Sequence, residues 1–469
     1  MALIVQRPSY RDKESIIELC SQIWGGYDYI PYLLDRWLSI SDPFLIIRDT
    51  QNNKVCAVDH ATIFNDVAYG EGLRVHVDYR GKGLAKQITM EIMKEVFERG
   101  IRDYKALIFS QTLDSIHLSE KAFFEKVNGY YLLEKKVQAL HQKDQPLEDI
   151  RVRPIFPEEI TRNKSEFNDL LFATNQEIVD VWTYYPSTDY LTEKFLFECT
   201  QGKLIAGLHE HEKEIFSICL LTKPGDWIKK MIPVLESYAS HFGCEVISVA
   251  IPFSLNQWVS DLMTMGFTTL WDPGALTLEE SSACLYSLNR AKMDQIIIPK
   301  QLDKPTLPSN YYRCLKRCHY GFSQVIESFP LKDGEPFPTT YYLTCPHLRY
   351  HISKLEESGV ISVLDHLKHT EAYKQLDDYY TKERKSRLSH SLLDSQQVLE
   401  KYEDALTLGI GGIKDQRGIK CLHLHAATYL AKLEDPVGHR VMDLLKEAGV
   451  MMDCDDMSCF EHFKEYYMG

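Results

Sequence analysis

No apolar run in the 469-residue sequence approaches the ~18 residues that a membrane-spanning helix needs. Its longest apolar stretches, such as residues 246–253, are the length of strands. The first eight residues hold neither a basic leader nor a long apolar segment with a cleavage site. They read as a strand, and a cytoplasmic location is expected. A surplus of positive charge is also missing. Lys and Arg total 53 against 67 Asp and Glu, a net charge of −14. That excludes a surface built mainly for nucleic acid, because phosphate contacts need clustered cations. Twelve cysteines are too few for a disulfide framework, and no short internal repeat is visible. What is present is the balance of a globular chain, 44% hydrophobic and 26% charged, which excludes wholesale disorder.

Length alone implies about three domains at ~150 residues each. The patterning divides the chain to match, into residues 1–145, 150–295 and 305–469. In the first, residues 12–23 have helical apolar spacing, and 44–48 and 55–63 read as strands around a polar turn. A strand at 72–77 leads through a glycine turn into a helix at 85–97. A strand at 105–110, a helix at 119–126 and a strand at 130–137 complete the segment. The polar, Pro-terminated residues 141–146 read as a linker. Residues 150–288 loosely echo this order, with strands at 204–208, 215–221 and 246–251 and helices at 227–241 and 256–265. A second linker, 299–308, carries three prolines. The remainder becomes helix-rich, with helices expected at 348–357, 372–389, 396–406, 421–432 and 438–448. The expected fold class is α+β: two mixed-sheet domains in tandem, then a helix-rich α+β domain.

The sharpest feature is Leu73-Arg74-Val75-His76-Val77-Asp78-Tyr79-Arg80-Gly81-Lys82-Gly83-Leu84-Ala85. A strand ending in a tight glycine turn at a helix N-terminus is an anion site. Unpaired N–H groups and the helix dipole favour negative charge there, and glycine allows close backbone approach. This segment resembles the acetyl-CoA signature of the GCN5-related N-acetyltransferases, Arg/Gln-x-x-Gly-x-Gly/Ala, at Arg80, Gly83 and Ala85. The resemblance implies that Arg80, Gly81, Lys82, Gly83, Leu84 and Ala85 hold the CoA pyrophosphate. It also implies that the strand with Leu73 and Val75 splays open along the pantetheine arm, with residues 105–111 as the other wall. The stretch Glu71-Gly72-Leu73-Arg74-Val75 with this turn is also similar to the histidine N-acetyltransferase branch, whose chains carry a second acetyltransferase-like half. That similarity implies an amino acid or small amine as acceptor.

Two further features bear on mechanism. The segment Phe124-Glu125-Lys126-Val127-Asn128-Gly129-Tyr130 resembles the family's closing Tyr-Glu-Lys-x-Gly-Phe element, with one residue more and Phe124 where the family often has a proton-donating tyrosine. Acetyl transfer also needs a neutral amine, so a general base is expected. Glu71, on the strand beside the turn, is the first candidate. His76 lies on the opposite face of that strand and His60 on its neighbour, so the three do not share one role. The second domain lacks a glycine turn at the corresponding place and reads as a degenerate copy that shapes the acceptor pocket. The aromatic run at Trp182, Tyr184 and Tyr185 reads as core.

Six of the twelve cysteines and ten of the seventeen histidines follow residue 300. Four short segments there, around Cys318-His319-Tyr320-Gly321, Thr344-Cys345-Pro346, Gly409-Ile410-Gly411-Gly412 and Cys421-Leu422-His423-Leu424-His425, together resemble an uncharacterised bacterial family, domain of unknown function 501. The residues allow a zinc site of Cys318, Cys345, Cys421 and His423, a thiol nucleophile at Cys421, or a buried structural set. Cys454 and Cys459, among aspartates, read as a solvated tail. Arg384 and Arg387 read as a solvated basic face, with a phosphate ligand conceivable if the 409–412 loop lies beside them. The functional expectation is acetyl transfer from acetyl-CoA to a small-molecule primary amine, with neither membrane nor nucleic acid as partner and zinc as a candidate ion of the C-terminal domain. A CoA-binding sensor and a C-terminal metal or thiol enzyme are the alternatives.

Overall fold

The computed structural model describes residues 2–23, 26, 28–138, 149–163, 165–172, 178–210, 212–270, 277–391, 403, 407–412 and 419–469. The linker expected at 141–146 and most of the helix expected at 396–406 lie outside the described residues. The chain forms two compact units, Met1–Val96 with Ile101–Leu288, and Phe97–Gly100 with Asn289–Gly469.

The first unit runs β1 (Leu3–Gln6), α1 (Lys13–Cys20), α2 (Ile30–Ser39), β2 (Phe44–Asp49), β3 (Lys54–Phe64), β4 (Val67–Val75), α3 (Leu84–Glu98), β5 (Asp103–Phe109), α4 (Leu113–Lys121) and β6 (Phe124–Lys136). It continues with β7 (Arg151–Ile155), α5 (Pro157–Arg162), α6 (Asn168–Phe172), β8 (Ile178–Asp180), β9 (Thr183–Tyr185), β10 (Lys194–Cys199), β11 (Gly202–Leu208), β12 (Ile215–Leu221), α7 (Asp226–His241), β13 (Val246–Pro252), α8 (Gln257–Thr264), β14 (Thr268–Thr269) and β15 (Ser282–Leu288). The echo between the two halves is topological. In each, an antiparallel meander ends in one parallel pair, β4 with β5 and β12 with β13, joined by a crossover helix, α3 or α7.

The halves share one 13-stranded sheet, ordered β1-β2-β3-β4-β5-β15-β6-β13-β12-β11-β10-β7, with β14 beside β6. At its centre the closing strands are exchanged. β15, from the end of the second half, pairs with β5 of the first, and β6 pairs with β13 of the second. Each half thus completes its sheet with a strand of the other. Helices α1 and α2 cover β2 and β3 through Ile16, Leu19, Leu33, Leu34 and Trp37, all buried.

The exchange explains one departure from the sequence reading. Residues 119–126 do not form a helix: α4 ends at Lys121, Phe123 takes a left-handed φ of 64°, and β6 begins at Phe124. Residues 124–126 are drawn into the sheet by Leu288, Ser287 and Tyr286, partners far along the chain. The register shifts between Leu285 and Tyr286, so the extra residue in this segment, Val127, is absorbed as an exposed bulge.

The second unit opens with α9 (Arg290–Gln301), which contains Pro299, so the expected linker starts after it. A three-stranded antiparallel sheet follows from β16 (Tyr311–Arg317), β17 (Ser323–Ser328) and β20 (Tyr341–Leu343), with a small hairpin of β18 (Leu331–Lys332) and β19 (Glu335–Pro336). Helices α10 (Pro346–Glu357), α11 (Val360–Leu364), α12 (Glu371–Ser391), α13 (Leu422–Leu430), α14 (Pro436–Glu447) and α15 (Ser458–Met468) complete it. A Cβ on Gly438 would lie 2.2 Å from the His425 carbonyl oxygen, so α13 and α14 approach too closely there for any larger residue. His425 is buried against Asp435, 2.8 Å from Nδ1 to Oδ2, and Asp435 caps α14 through the N–H groups of Val437 and Gly438. The tail is not solvated: Cys459, Phe460, Phe463 and Tyr467 of α15 are buried. Nor do Arg384 and Arg387 form a solvated face. Arg384 is buried and donates to the carbonyls of Leu408 and Gly409, and Arg387 pairs with Glu327 and Glu383.

Candidate functional site

Strands β4 and β5 pair in parallel only from Val67 with Asp103 to Gly70 with Ala106. Beyond that they diverge. The cause is local: between Arg74 and Glu71 the register against β3 gains a residue, so Gly72 and Leu73 face Asp59 alone. Gly72 has a φ of 79°, and a Cβ there would meet Trp37 at 2.6 Å, so the bulge requires glycine. The opening between β4 and β5 holds a cavity of about 150 Å³, lined by Glu71, Leu73, Asp59, Tyr29, Tyr104 and Phe124 among others.

At the end of β4 the chain makes a short helical turn at Val77–Tyr79 and then the glycine turn into α3. Tyr79 anchors it from below, donating to Asp49 Oδ2 (2.9 Å) and accepting from Asn52 Nδ2 (3.0 Å). Gly81 and Gly83 have φ of 70° and 78°, and a Cβ on either would meet nothing within 4 Å. Arg80, Gly81, Lys82 and Gly83 are exposed, while Leu84 is buried beneath them. Arg80 Nε donates to the Val75 carbonyl (3.3 Å), and Lys82 donates to the Asp78 carbonyl (2.8 Å) and lies over the Tyr79 ring. The N-terminus of α3 therefore presents open backbone and two cations, which fits a diphosphate.

The expected base, Glu71, lies on the cavity wall. Its Oε1 accepts from Thr62 Oγ1 (2.6 Å) and is 3.4 Å from His60 Nδ1. His60 is wholly buried and stacked on Trp37, with centroids 4.1 Å apart. His76 is a structural residue: its Nδ1 accepts from Asp78 N–H (3.2 Å), its Nε2 is 2.9 Å from Gln22, and burial lowers its pKa. Arg74 is taken up by a two-pronged pair with Asp28, at 2.8 and 3.1 Å.

Sequence reasoning missed Asp59. Burial pushes its pKa up to about 7 against hydrogen bonds from Thr89 Oγ1 and the His60 N–H. The signal was available, as a lone acid in the apolar strand Val55-Cys56-Ala57-Val58-Asp59. Phe124 is on the wall as expected and donates nothing. Two tyrosines share that cavity: the Tyr104 and Phe124 rings meet edge to face at 5.2 Å, and the Tyr29 hydroxyl accepts from the Gly72 N–H (3.0 Å).

In the second half, β12 and β13 also pair only from Ile215 with Val246 to Ile218 with Val249. Pro224 precedes the crossover helix there, its first turn carries Asp226, and Trp227 packs onto Gly202. An acidic, aromatic-filled N-terminus is the reverse of an anion site.

In the second unit, Cys421 caps α13, and its sulfur, His423 and Glu356 form a group whose ligand atoms lie within 4.8 Å of one another. Glu356 Oε1 accepts from the Leu422 N–H (2.6 Å) and lies 3.1 Å from His423 Nδ1, while His423 Nε2 is 3.1 Å from the Arg349 carbonyl. Glu356 is thus both cap and candidate ligand, a role that no local pattern around it signals. This set borders a cleft of about 960 Å³ that also presents Lys300, Lys332, Arg349 and Lys420. Cys318 and Cys345 line a different, small cavity, beside Cys454 and Cys459.

The first unit thus combines a mixed sheet opened at a bulged strand with a glycine turn where that strand leads into α3. The family comparison bears on it: residues 13–130 match the acetyltransferase (GNAT) family, which supports an acyltransferase, and residues 314–443 match the protein of unknown function family DUF501. Among solved structures, a GCN5-related N-acetyltransferase from Sphaerobacter thermophilus aligns at 14% identity over 61% of this chain and 95% of its own, with a TM-score of 0.41. One from Kribbella flavida aligns at 11% identity over 76% and 91%, with a TM-score of 0.37. The PaiA N-acetyltransferase from Thermoplasma acidophilum, in complex with coenzyme A, aligns at 17% identity over 27% and 91%, with a TM-score of 0.24. No curated protein matches the chain. Among the described residues, no helix is long and apolar enough to cross a membrane.

Proposed function

We propose that the first unit transfers the acetyl group of acetyl-CoA to a primary amine of a small molecule. The observation that carries this reading is that one strand, β4, both walls the β4–β5 opening and leads into the glycine turn at α3. The backbone of residues 80–85, with Arg80 and Lys82, holds the diphosphate. The edge of β4 at Leu73 and Val75 takes the pantetheine arm. The acyl end then reaches the cavity bordered by Glu71 and Asp59.

An ammonium acceptor must lose a proton before its nitrogen can attack the thioester carbonyl carbon. We assign that proton to the carboxylate pair on the cavity wall. A hydrogen bond from Thr62 holds the Glu71 carboxylate in place, and Asp59 ionises where a base at neutral pH is most effective. The C–N bond forms, the C–S bond breaks, and the departing thiolate takes a proton from water or from a wall hydroxyl, since Phe124 has none to give. The second half carries no cofactor in this reading and closes the acceptor side of the sheet.

Release of free CoA thiol is the test, measured with a panel of amino acids and small amines and paired with thermal unfolding in acetyl-CoA. Binding with amine-dependent thiol release is expected. Binding without turnover across the panel would instead establish the sensor alternative, which Phe124 favours. No binding would leave the glycine turn as a plain strand-to-helix connection.

A further inference from the structure

Cys318, Cys345, Cys454 and Cys459, scattered along the C-terminal third of the sequence, converge on one cavity of about 10 Å³ in the second unit. That volume suits one water or one ion. Three of the four arrive at the end of an element, and Cys454 lies in the loop between α14 and α15. Cys318 follows β16 and opens a turn in which its carbonyl accepts from the Gly321 N–H (3.0 Å) and its own N–H donates to the Phe322 carbonyl (2.9 Å). Gly321 closes that turn at φ 86°. Cys345 caps α10, and Cys459 lies in the first turn of α15. The segment bearing Cys454 is pinned, because Gln324 Nε2 donates to the Met452 carbonyl (2.7 Å) and the His319 N–H to Asp453 Oδ1 (3.0 Å).

None of the four is in a disulfide, and Cys318, Cys345 and Cys459 are buried. One sulfur already has a side-chain donor: Gln301 Nε2 donates to Cys459 Sγ (3.2 Å). Such an outer hydrogen bond is what orients and supports a metal-bound thiolate.

We propose that Cys318, Cys345, Cys454 and Cys459 bind one Zn²⁺ as a structural four-thiolate centre. Four soft ligands leave no open coordination position, which distinguishes a structural from a catalytic zinc. The ion ties the chain's last helix and the 451–457 segment to the β16–β17 turn and the start of α10. The four sulfurs do not meet the mutual 4.8 Å spacing of Glu356, Cys421 and His423. Zn–S bonds of ~2.3 Å therefore need side-chain rotations that draw them inward.

The test is metal analysis of the full chain purified without chelator, with X-ray absorption at the zinc edge. One zinc per chain with four sulfur neighbours is expected. It should be lost in Cys454→Ser and Cys459→Ser and kept in Cys421→Ala. Zinc with a single sulfur neighbour, or lost in Cys421→Ala and kept in Cys454→Ser, would move the site to the Glu356 set and overturn the proposal. Iron with acid-labile sulfide, or a metal-free chain whose twelve cysteines all titrate as thiols on unfolding, also overturns it. The absorption spectrum of the unaltered chain decides the matter even where a serine variant fails to fold.

Discussion

Replacing Asp59 with Asn tests whether a buried carboxyl group on the cavity wall is held near neutrality. Burial raises its pKa from 3.8 to about 7. At ~1.4 kcal/mol per unit, full ionisation in the folded chain costs roughly 4 kcal/mol relative to the unfolded one. The sign follows from which state holds the proton. Below the ordinary carboxylate range both states are protonated and no cost arises. As pH rises towards 7 the unfolded chain ionises freely while the folded chain resists, so stability is lost across that window and levels off above it. Asn is neutral and nearly isosteric: its oxygen can accept one of the two hydrogen bonds, and the Thr89 hydroxyl can turn to accept from its amide. The variant should therefore match the parent near pH 4 and exceed it by roughly 4 kcal/mol near pH 8. All six tryptophans precede residue 289, so urea unfolding followed by tryptophan fluorescence reports the first unit alone. Thiol release measured alongside should fall by ~10²–10⁴-fold if Asp59 takes the proton, with the matching loss in Glu71→Gln if Glu71 does. A stability difference that stays flat between about pH 4 and pH 8 would refute the reasoning, because it would mean that the carboxylate is hydrated and ionises normally.

Gly83→Glu should remove the thermal shift produced by acetyl-CoA, which at a hundred times the dissociation constant is worth ~2.7 kcal/mol; an undiminished shift would place the ligand elsewhere. A chain cut to residues 1–145 loses β15 from between β5 and β6 and should aggregate through the two bare edges, while residues 1–288 stay monodisperse in size-exclusion chromatography; a soluble, folded 1–145 would contradict the exchanged-strand sheet. Asp180→Ala leaves the Lys194 ammonium, 3.0 Å away, buried without its carboxylate. It should cost ~3–5 kcal/mol in the same fluorescence-detected unfolding, and a loss under 1 kcal/mol would show water reaching that pair.

The local parts of this fold were legible because their causes are local. Glycine at 81 and 83 followed by an amphipathic segment specifies a turn and a helix whatever surrounds them, and the periodicity of α3, α7 and α10 appears in short windows. The start of β6 was illegible for the opposite reason. Residues 119–126 carry a plausible helical pattern, and only the pairing of Phe124 with Leu288 overrides it. No window of the sequence contains both partners. The exchange of β6 and β15 is hidden in the same way, since each strand satisfies the alternation rule whichever half it completes.

The chemistry of the two units divides along the same line. Glu71 could be nominated from its neighbours in sequence, but the bulge that sets Gly72 and Leu73 against Asp59 depends on register with β3, so the second carboxylate emerged only in three dimensions. In the C-terminal unit, helix starts and turns marked Cys318, Cys345, Cys421 and His423 as one set. The structure sorts them by a rule that spacing cannot express, namely which sulfurs share a cavity. Cys345 and Cys318 fall with Cys454 and Cys459, and Cys421 falls with Glu356 and His423. The aspartates around Cys454 suggested a solvated tail because charge is visible in sequence. The four apolar and aromatic residues that bury α15 act only through neighbours on other elements, and they outweigh that charge.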